Sequence, residues 1–243
     1  MPFLYLLAFL CCCLLTGCDE ADDRLPEPPL VIFTPDPAPL RCLTPQQLRE
    51  EVNIQEDLIP KGEFGRCKPR ELQPHYITIH ATRNMNASAN AERHASVLKM
   101  GRITGGVVGF LSWHFTVDCQ EVRQHLPLNE IGHHAEYGYK PGNLYSIGIE
   151  MCENEGNDMP ATFERTAKLA ALLMHEYKIP LKCVVGHIFW TGKKCPAPLL
   201  DDGCLGATWA GFISRVDYYD RCLKLGMQEK AKQEKTNPDR RRS

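Results

Sequence analysis

Four short apolar runs, separated by longer segments with helical periodicity, constrain the fold of this chain more than any other feature. The runs are residues 76–80, 113–117, 146–151 and 183–187. Three of them alternate as strands do, and the fourth is short and continuously apolar. Helices are predicted over residues 89–100, 160–177 and 209–225. Strands that alternate with helices predict a single α/β domain, with a central mixed β-sheet flanked by helices.

The bulk composition agrees with one globular domain and excludes one class of partner. The chain has 243 residues, of which 43% are hydrophobic and 24% are charged. That is enough apolar material for one good core. The formal net charge is -2, and no basic stripe precedes the last few residues. We therefore expect no nucleic-acid partner.

The amino terminus has the pattern of an export signal. Its first 18 residues, MPFLYLLAFLCCCLLTGC, contain no charged side chain. The apolar run of about 15 residues is too short to span a bilayer comfortably and is typical of a signal-peptide core. It ends in Leu15-Thr16-Gly17-Cys18, which resembles the bacterial lipobox, in which the cysteine becomes the new amino terminus and carries lipid.

This resemblance predicts a signal peptide over residues 1–17 and lipidation of Cys18. The protein would then be anchored to a bacterial membrane, facing the periplasm or the exterior, since several acyl chains give firm attachment. An ordinary cleaved signal and an uncleaved anchor are the alternatives.

Composition also separates the domain from its flanks. Residues 18–40 are acidic and rich in proline, which is typical of an extended tether. Residues 227–243 are highly charged and end in three arginines before Ser243, which predicts a disordered tail. The domain is therefore expected over residues 41–226.

The chain contains twelve cysteines, and four of them belong to the first 18 residues. If Cys195 holds a metal, seven remain, so at least one thiol is free or pairs between molecules. Disulfides are compatible with an exported protein, but the sequence does not give their pairing.

Two of the strands end in histidine, and a cysteine follows the second of them. His80 and His187 each close an apolar run, and Cys195 lies eight positions after His187. A single histidine at a strand end is more often structural. Two nitrogen ligands and one sulfur ligand together suit zinc, with a fourth position open for water. His175-Glu176 begins like the zinc-binding motif HExxH, but that motif needs a second histidine where this chain has Ile179.

A metal-dependent hydrolase also needs a general base and a group that stabilises an oxyanion. Glu150 lies in an otherwise apolar strand, where a carboxylate is rare unless it is paired or functional. Lys193 lies two positions before Cys195, although exposed loop lysines are common. We interpret Glu150 as the base and Lys193 as the oxyanion group.

With these residues, the chain resembles a known family, the zinc-dependent N-acetylmuramoyl-L-alanine amidases of the type-2 amidase and peptidoglycan-recognition-protein fold. The resemblance is greatest to the branch found in phage endolysins and bacterial autolysins. The matching segments run in the family's order over about residues 54–220. They are YITIH (76–80), ANAERH (89–94), SWHFTVD (112–118), HA (134–135), GN (142–143), SIGIE (146–150) and His187 with TGKKCP (191–196).

The resemblance implies roles at individual positions. His80, His187 and Cys195 match the ligands of one zinc ion in a surface groove. Glu150 matches the catalytic glutamate, and Lys193 matches the lysine that stabilises the tetrahedral intermediate.

Four further positions follow with less specific roles. His134 and Asn143 match positions that line the substrate groove. Trp113 stands where some relatives have a catalytic tyrosine, and with Glu150 present it is expected to be a groove or packing residue. His114 is expected to pack or hydrogen-bond near the site.

The implied reaction is cleavage of the amide bond between N-acetylmuramic acid and the L-alanine of the stem peptide, in peptidoglycan or muropeptides. We expect a monomer. Two alternatives are a peptidoglycan receptor without activity, which typically lacks the cysteine ligand, and a structural envelope protein cross-linked through cysteines. Cys67 and Cys152 depart from the family's pattern and would be disulfide partners or reduced thiols near the zinc.

Overall fold

The computed structural model describes residues 25–101 and 110–236, which fold around one six-stranded sheet. The strands are β1 (Ile54–Glu56), β2 (Tyr76–Ala81), β3 (Phe115–Val117), β4 (Val122–Gln124), β5 (Ser146–Met151) and β6 (Val184–Gly186). The helices are α1 (Pro45–Val52), α2 (Ala91–Lys99), α3 (Pro141–Leu144), α4 (Met159–Tyr177), α5 (Ile188–Thr191) and α6 (Ala207–Thr236). The predicted α/β domain with a central mixed sheet is confirmed.

The sheet has the strand order β1-β4-β3-β5-β2-β6. Every neighbouring pair is parallel except β3 with β4, which are antiparallel and joined by a short turn. Strand β2 therefore lies between β5 and β6 with all three running in the same direction. Their carboxyl ends meet at one edge of the sheet, where parallel α/β proteins commonly bind ligands.

Local capping explains where the long helices begin. At α4, the side chain of Asp158 accepts a hydrogen bond from the backbone N–H of Ala161. At α1, Thr44 and Gln47 form a reciprocal capping box. Each arrangement satisfies backbone donors that have no partner within the helix. The helix predicted over residues 160–177 differs from α4 by one residue at its start.

The two central strands separate apolar from polar side chains. In β2, Ile77 and Ile79 point to one face of the sheet, while Thr78 and His80 point to the other, because successive side chains alternate. Strand β5 repeats this pattern in register, and His80 stands directly opposite Glu150. Helices α1, α4 and α6 share one buried cluster with the isoleucine face. Loops, α2 and α3 cover the other face.

The amino-terminal segment of the described chain packs against the domain, which corrects the predicted tether. Val31 and Phe33 contact the hydrophobic core. The hydroxyl of Tyr76 donates to the carbonyl of Pro26, and Ser214 donates to the carbonyl of Thr34. The predicted tether is acidic and rich in proline, but it also carries apolar side chains that gain free energy when they are buried. Residues 18–24 of the predicted tether, like the predicted signal peptide with Cys18, lie outside the described residues.

The predicted disordered tail is partly helical. Helix α6 continues to Thr236, ten residues beyond the expected end of the domain at residue 226. Good helix formers fill this extension, and Glu229 pairs with Lys232 one turn along. Residues 237–243 lie outside the described part of the chain. Among the residues that are described, no helix has the length and apolarity needed to cross a membrane.

Candidate active site

The carboxyl edge of the parallel strands brings together the three predicted metal ligands. His80 lies near the end of β2, His187 follows β6 directly, and Cys195 lies in the loop after α5. All three are buried, with 1%, 6% and 2% of their surface exposed. The strands place the histidines, and a hydrogen bond from the N–H of Ile188 to the carbonyl of Cys195 ties the cysteine loop back to His187.

The donor atoms are close enough to share one ion. Nδ1 of His80 lies 3.0 Å from Nδ1 of His187 and 4.0 Å from Sγ of Cys195. The three donor atoms all lie within 4.8 Å of one another. In a tetrahedral zinc site, bond lengths of about 2.0 Å to nitrogen and 2.3 Å to sulfur separate two nitrogens by roughly 3.3 Å and a nitrogen–sulfur pair by roughly 3.6 Å. The cluster fits these dimensions.

Burial sets the protonation of the donor atoms. It lowers the pKa of His80 well below its usual value and lowers the pKa of His187 to about 4, with the charge of Lys193 acting in the same direction. Both imidazoles are therefore neutral at neutral pH, which is the form that binds metals. Burial raises the pKa of the Cys195 thiol to about 11. A cation in the cluster would oppose that effect, because metal binding displaces the thiol proton.

Glu150 lies beside this cluster. Its Oε1 is 3.9 Å from Nδ1 of His80, and its side chain is 15% exposed. Its Oε2 is buried and has no hydrogen-bond partner. Burial raises the pKa of Glu150 to about 8, with the charge of Lys193 opposing the shift. A carboxylate that titrates near neutrality can take up a proton and later return it.

Lys193 stands on the solvent side of the cluster. The residue is exposed, and the loop around it is fixed by a hydrogen bond of 2.7 Å from the N–H of Cys195 to its carbonyl. Its positive charge acts on the pKa of His80, His187, Glu150 and Cys195 alike. The ammonium is therefore a solvent-exposed positive charge that acts on all four buried groups.

Comparison with known families assigns the domain that carries this site. The Amidase_2 family model, described as N-acetylmuramoyl-L-alanine amidase, matches residues 70–198, which is more than half of the chain. The chain belongs to the N-acetylmuramoyl-L-alanine amidase family. The match covers β2 to β6 and includes all three donor residues, Glu150 and Lys193.

Individual relatives agree with the family. The chain is 45% identical over 165 residues to the N-acetylmuramoyl-L-alanine amidase XlyA of Bacillus subtilis (strain 168), which covers 68% of this chain and 51% of XlyA. It is 39% identical over 170 residues to the N-acetylmuramoyl-L-alanine amidase CwlH of the same organism, and the match covers 70% of this chain and 63% of CwlH. The chain thus spans about half to two thirds of the length of these relatives.

Solved structures confirm the fold. The structure of the catalytic domain of XlyA superposes with a TM-score of 0.61 at 43% identity, covering 68% of this chain and 99% of that domain. The structure of PlyL superposes with a TM-score of 0.58 at 29% identity, and the match covers 68% of this chain and 96% of the PlyL chain. This agreement supports the mixed α/β fold of the amidase family.

Asn143 and His134, which were expected to line the groove of this amidase-family domain, lie inside the protein. Asn143 is fully buried, and its Oδ1 accepts hydrogen bonds from the backbone N–H groups of His134 and Ala135. His134 is 8% exposed, and its ring contacts His80. The amide oxygen and nitrogen of Asn143 both bond the loop after Ile131, and its contact with the substrate groove stays a prediction.

Trp113 and His114 have structural surroundings. Trp113 is half-buried and packs against a small cluster that includes Leu98 and Leu126. Its Nε1 donates a hydrogen bond of 2.7 Å to the hydroxyl of Thr116. Nε2 of His114 donates to the carbonyl of Glu130, and its Nδ1 accepts from the N–H of Gly148. Trp113 is thus a packing residue, and His114 hydrogen-bonds near the site as expected.

The two cysteines that depart from the family's pattern have different surroundings. Cys152 is fully buried and Cys67 is exposed. All cysteines in the described part of the chain are free thiols. Cys67 lines an apolar cavity of about 450 Å³, together with Phe64, Tyr137 and Tyr139. The sequence predicted neither this cavity nor the contact between His80 and His134, because their residues are far apart along the chain.

Proposed function

We propose that this protein hydrolyses the amide bond between N-acetylmuramic acid and L-alanine in peptidoglycan or muropeptides. One zinc ion, held by His80, His187 and Cys195, would be its cofactor. The observation that carries the proposal is the convergence of these three donors beside Glu150, with Oε1 of Glu150 3.9 Å from His80, in a domain of the amidase family. Relatives that are named N-acetylmuramoyl-L-alanine amidases support the substrate class.

The chemistry follows from the positions of two side chains. When bound, zinc lowers the pKa of water to roughly 7 and polarises a carbonyl oxygen. Oε2 of Glu150, which has no protein partner, takes a proton from the attacking water. The same carboxyl group then delivers that proton to the departing nitrogen of L-alanine. Lys193 provides positive charge for the oxygen that becomes negative in the transition state.

Defined muropeptides test the activity directly. A chain that begins at Leu25 keeps the packed amino-terminal segment and is incubated with muropeptides, with and without a chelator. Mass spectrometry then detects free stem peptides that begin with L-alanine. We expect release that stops with the chelator and returns when zinc is added. Intact muropeptides in the presence of bound zinc would reject the hydrolase and favour a peptidoglycan receptor.

We also propose that Cys18 anchors the protein to a membrane of the bacterial envelope, and that one chain forms the complete site as a monomer. The apolar run and the sequence Leu15-Thr16-Gly17-Cys18 support the anchor. Labelling of cells with a radioactive fatty acid tests it. We expect label in the native chain and none in the Cys18→Ser variant. Equal labelling of both would reject lipidation at this residue.

The packed amino-terminal segment would orient an anchored enzyme. The carbonyl of Pro26 bonds Tyr76, the first residue of β2, whereas the donor cluster lies at the opposite, carboxyl edge of the sheet. The seven-residue step from Cys18 to Leu25 reaches at most about 25 Å. The site would therefore face away from the anchoring membrane, toward wall polymer.

A further inference from the structure

A chain of hydrogen bonds runs from the donor cluster into the protein. Nε2 of His80 lies 2.9 Å from Nδ1 of His134. Nε2 of His134 lies 3.3 Å from the carbonyl oxygen of Ser146, at the start of β5. His80 and His134 are buried, so water does not compete for these bonds.

The chemistry of the partners fixes the direction of each bond. A carbonyl oxygen only accepts, so Nε2 of His134 carries a hydrogen and donates it to Ser146. A neutral imidazole has one N–H, and Nδ1 of His134 must then accept from Nε2 of His80. The remaining nitrogen of His80, Nδ1, consequently presents a lone pair to His187 and Cys195.

A buried amide holds the loop that carries His134. Oδ1 of Asn143 accepts from the N–H of His134 at 3.0 Å and from the N–H of Ala135 at 2.9 Å. Nδ2 of Asn143 donates to the carbonyls of Glu136 and Gly138. The side chain of Asn143 therefore holds the loop from which His134 contacts His80.

Two glycines leave room for the ring of His134. A Cβ at Gly148 would lie 2.8 Å from three atoms of that ring, and a Cβ at Gly132 would lie 2.9 Å from its Cδ2. The ring thus lies directly on the backbone of β5 and has little freedom to tilt. Its orientation is set before any ion binds.

We propose that His134 and Asn143 are positioning residues for the metal ligands rather than substrate-binding residues. His134 fixes the tautomer and direction of His80, and Asn143 holds the loop that presents His134 to His80. Such outer partners commonly change metal affinity 10–100-fold when they are removed. The inference rests on the metal site proposed above but does not require hydrolytic activity.

Zinc affinity tests the role of His134. The full chain, kept in a mild detergent, competes for Zn²⁺ with a chromophoric chelator at fixed pH. We expect His134→Ala to weaken zinc binding about 10–100-fold. His134→Gln should restore most of the affinity, since its amide can accept from His80 and donate to Ser146. The matched control is His125→Gln, because His125 is fully buried but bonds Thr116 and not the donor cluster.

Asn143→Ala tests the loop in the same assay. We expect it to weaken zinc binding by a factor similar to that of His134→Ala. The KM of each zinc-saturated variant should stay within about twofold of the native value, because neither side chain meets substrate. Unchanged zinc affinity together with a raised KM would overturn the proposal and return both residues to the groove.

Nitrogen NMR of the native chain gives a result that does not depend on how the variants fold. We expect a hydrogen on Nε2 of His80 and none on Nδ1. A hydrogen on Nδ1 of His80 would refute the proposed direction of the hydrogen bonds from His80 to Ser146, whatever the activity of the protein. A native chain that binds no zinc would reject the metal site itself, whereas one that binds zinc without hydrolysing muropeptides would reject only the proposed reaction.

Discussion

The two faces of the central sheet bury different chemistry within the same strands. On one face, Ile77, Ile79 and Ile147 pack against helices with no surface exposed. On the other face, Thr78 and His80 take part in directed hydrogen bonds. The apolar face stabilises the fold through the apolar surface that it buries and the volume that it fills. On the polar face, each buried polar atom requires a hydrogen-bond partner.

Six buried side-chain atoms in the described part of the chain lack a hydrogen-bond partner, and one of them is a carboxylate oxygen on the polar face. Thr78 bonds both Ser146 and Trp190, and His80 bonds His134. Oε2 of Glu150 is buried without any partner. An unpaired buried carboxylate oxygen costs free energy, so its presence at the edge of the donor cluster indicates function rather than stability. The comparison teaches that the polar face holds an unpaired buried carboxylate beside the donor cluster, where the apolar face holds only packed side chains.

Replacement of Glu150 should give the largest functional effect. We expect Glu150→Gln to lower kcat about 10³-fold, because a general base typically contributes 10²–10⁴-fold. Zinc content and the thermal midpoint of unfolding should stay close to native, since the size of the side chain is unchanged. Glu153→Gln is the control, because Glu153 accepts a backbone bond from Arg83 that glutamine can also accept. Equal losses in both variants would remove the special role of Glu150.

The apolar face of the same strand should behave in the opposite way. Ile147→Ala should lower the free energy of unfolding by about 2–5 kcal/mol, because a cavity remains where the side chain was fully buried. Its kcat at a temperature where the protein is folded should change little. Denaturant unfolding measures the first effect, and Ile147→Val should cost only about 0.5–1.5 kcal/mol. A large fall in kcat without loss of stability would contradict the separation of the two faces.

Thr78→Val tests the polar face without a change in volume. Nε1 of Trp190 donates to the hydroxyl of Thr78 at 2.8 Å, and Ser146 also bonds it. Trp190 and Ser146 both lose a hydrogen-bond partner in this variant, which should lower the free energy of unfolding by about 1–3 kcal/mol. The double variant Thr78→Val/Ser146→Ala should recover part of that cost, because one orphaned hydroxyl is removed with its partner. A double variant that is less stable by the sum of both single changes would argue against the shared bond.

The loops that cover the polar face should give a smaller, pH-dependent effect. Hydrogen bonds from Arg66 hold the pKa of Glu130 below its usual value of 4.5, and the two side chains are 11% and 15% exposed. Because the folded pKa is lowered, the pair stabilises the protein above about pH 4.5, and that stability is lost as the pH falls through the folded pKa.

Unfolding free energy measured between pH 7 and pH 3 checks this prediction. Glu130→Gln should have a shallower loss of stability on the acid side than the native chain. Identical slopes for the two proteins would show that the pair contributes nothing to acid sensitivity.

The sequence by itself determined the class of fold and the chemistry at the strand ends. Alternation in residues 76–80 and 146–150 is a local property, so the polar and apolar faces could be read directly. His80, His187 and Cys195 were predicted together because two strands end in histidine and a cysteine follows, and the structure brings their donor atoms within 4.8 Å. Their predicted roles as ligands, and those of Glu150 and Lys193, remain predictions.

Only the tertiary structure decided which residues lie behind the site and how the flanks pack. His134 and His80 are 54 positions apart, and nothing in their local patterns indicates that their rings meet. Composition suggested an extended tether before residue 41, yet Phe33 packs on the core. Periodicity reports only the face on which a side chain lies. What covers that face depends on contacts between distant segments, which form when the whole chain packs.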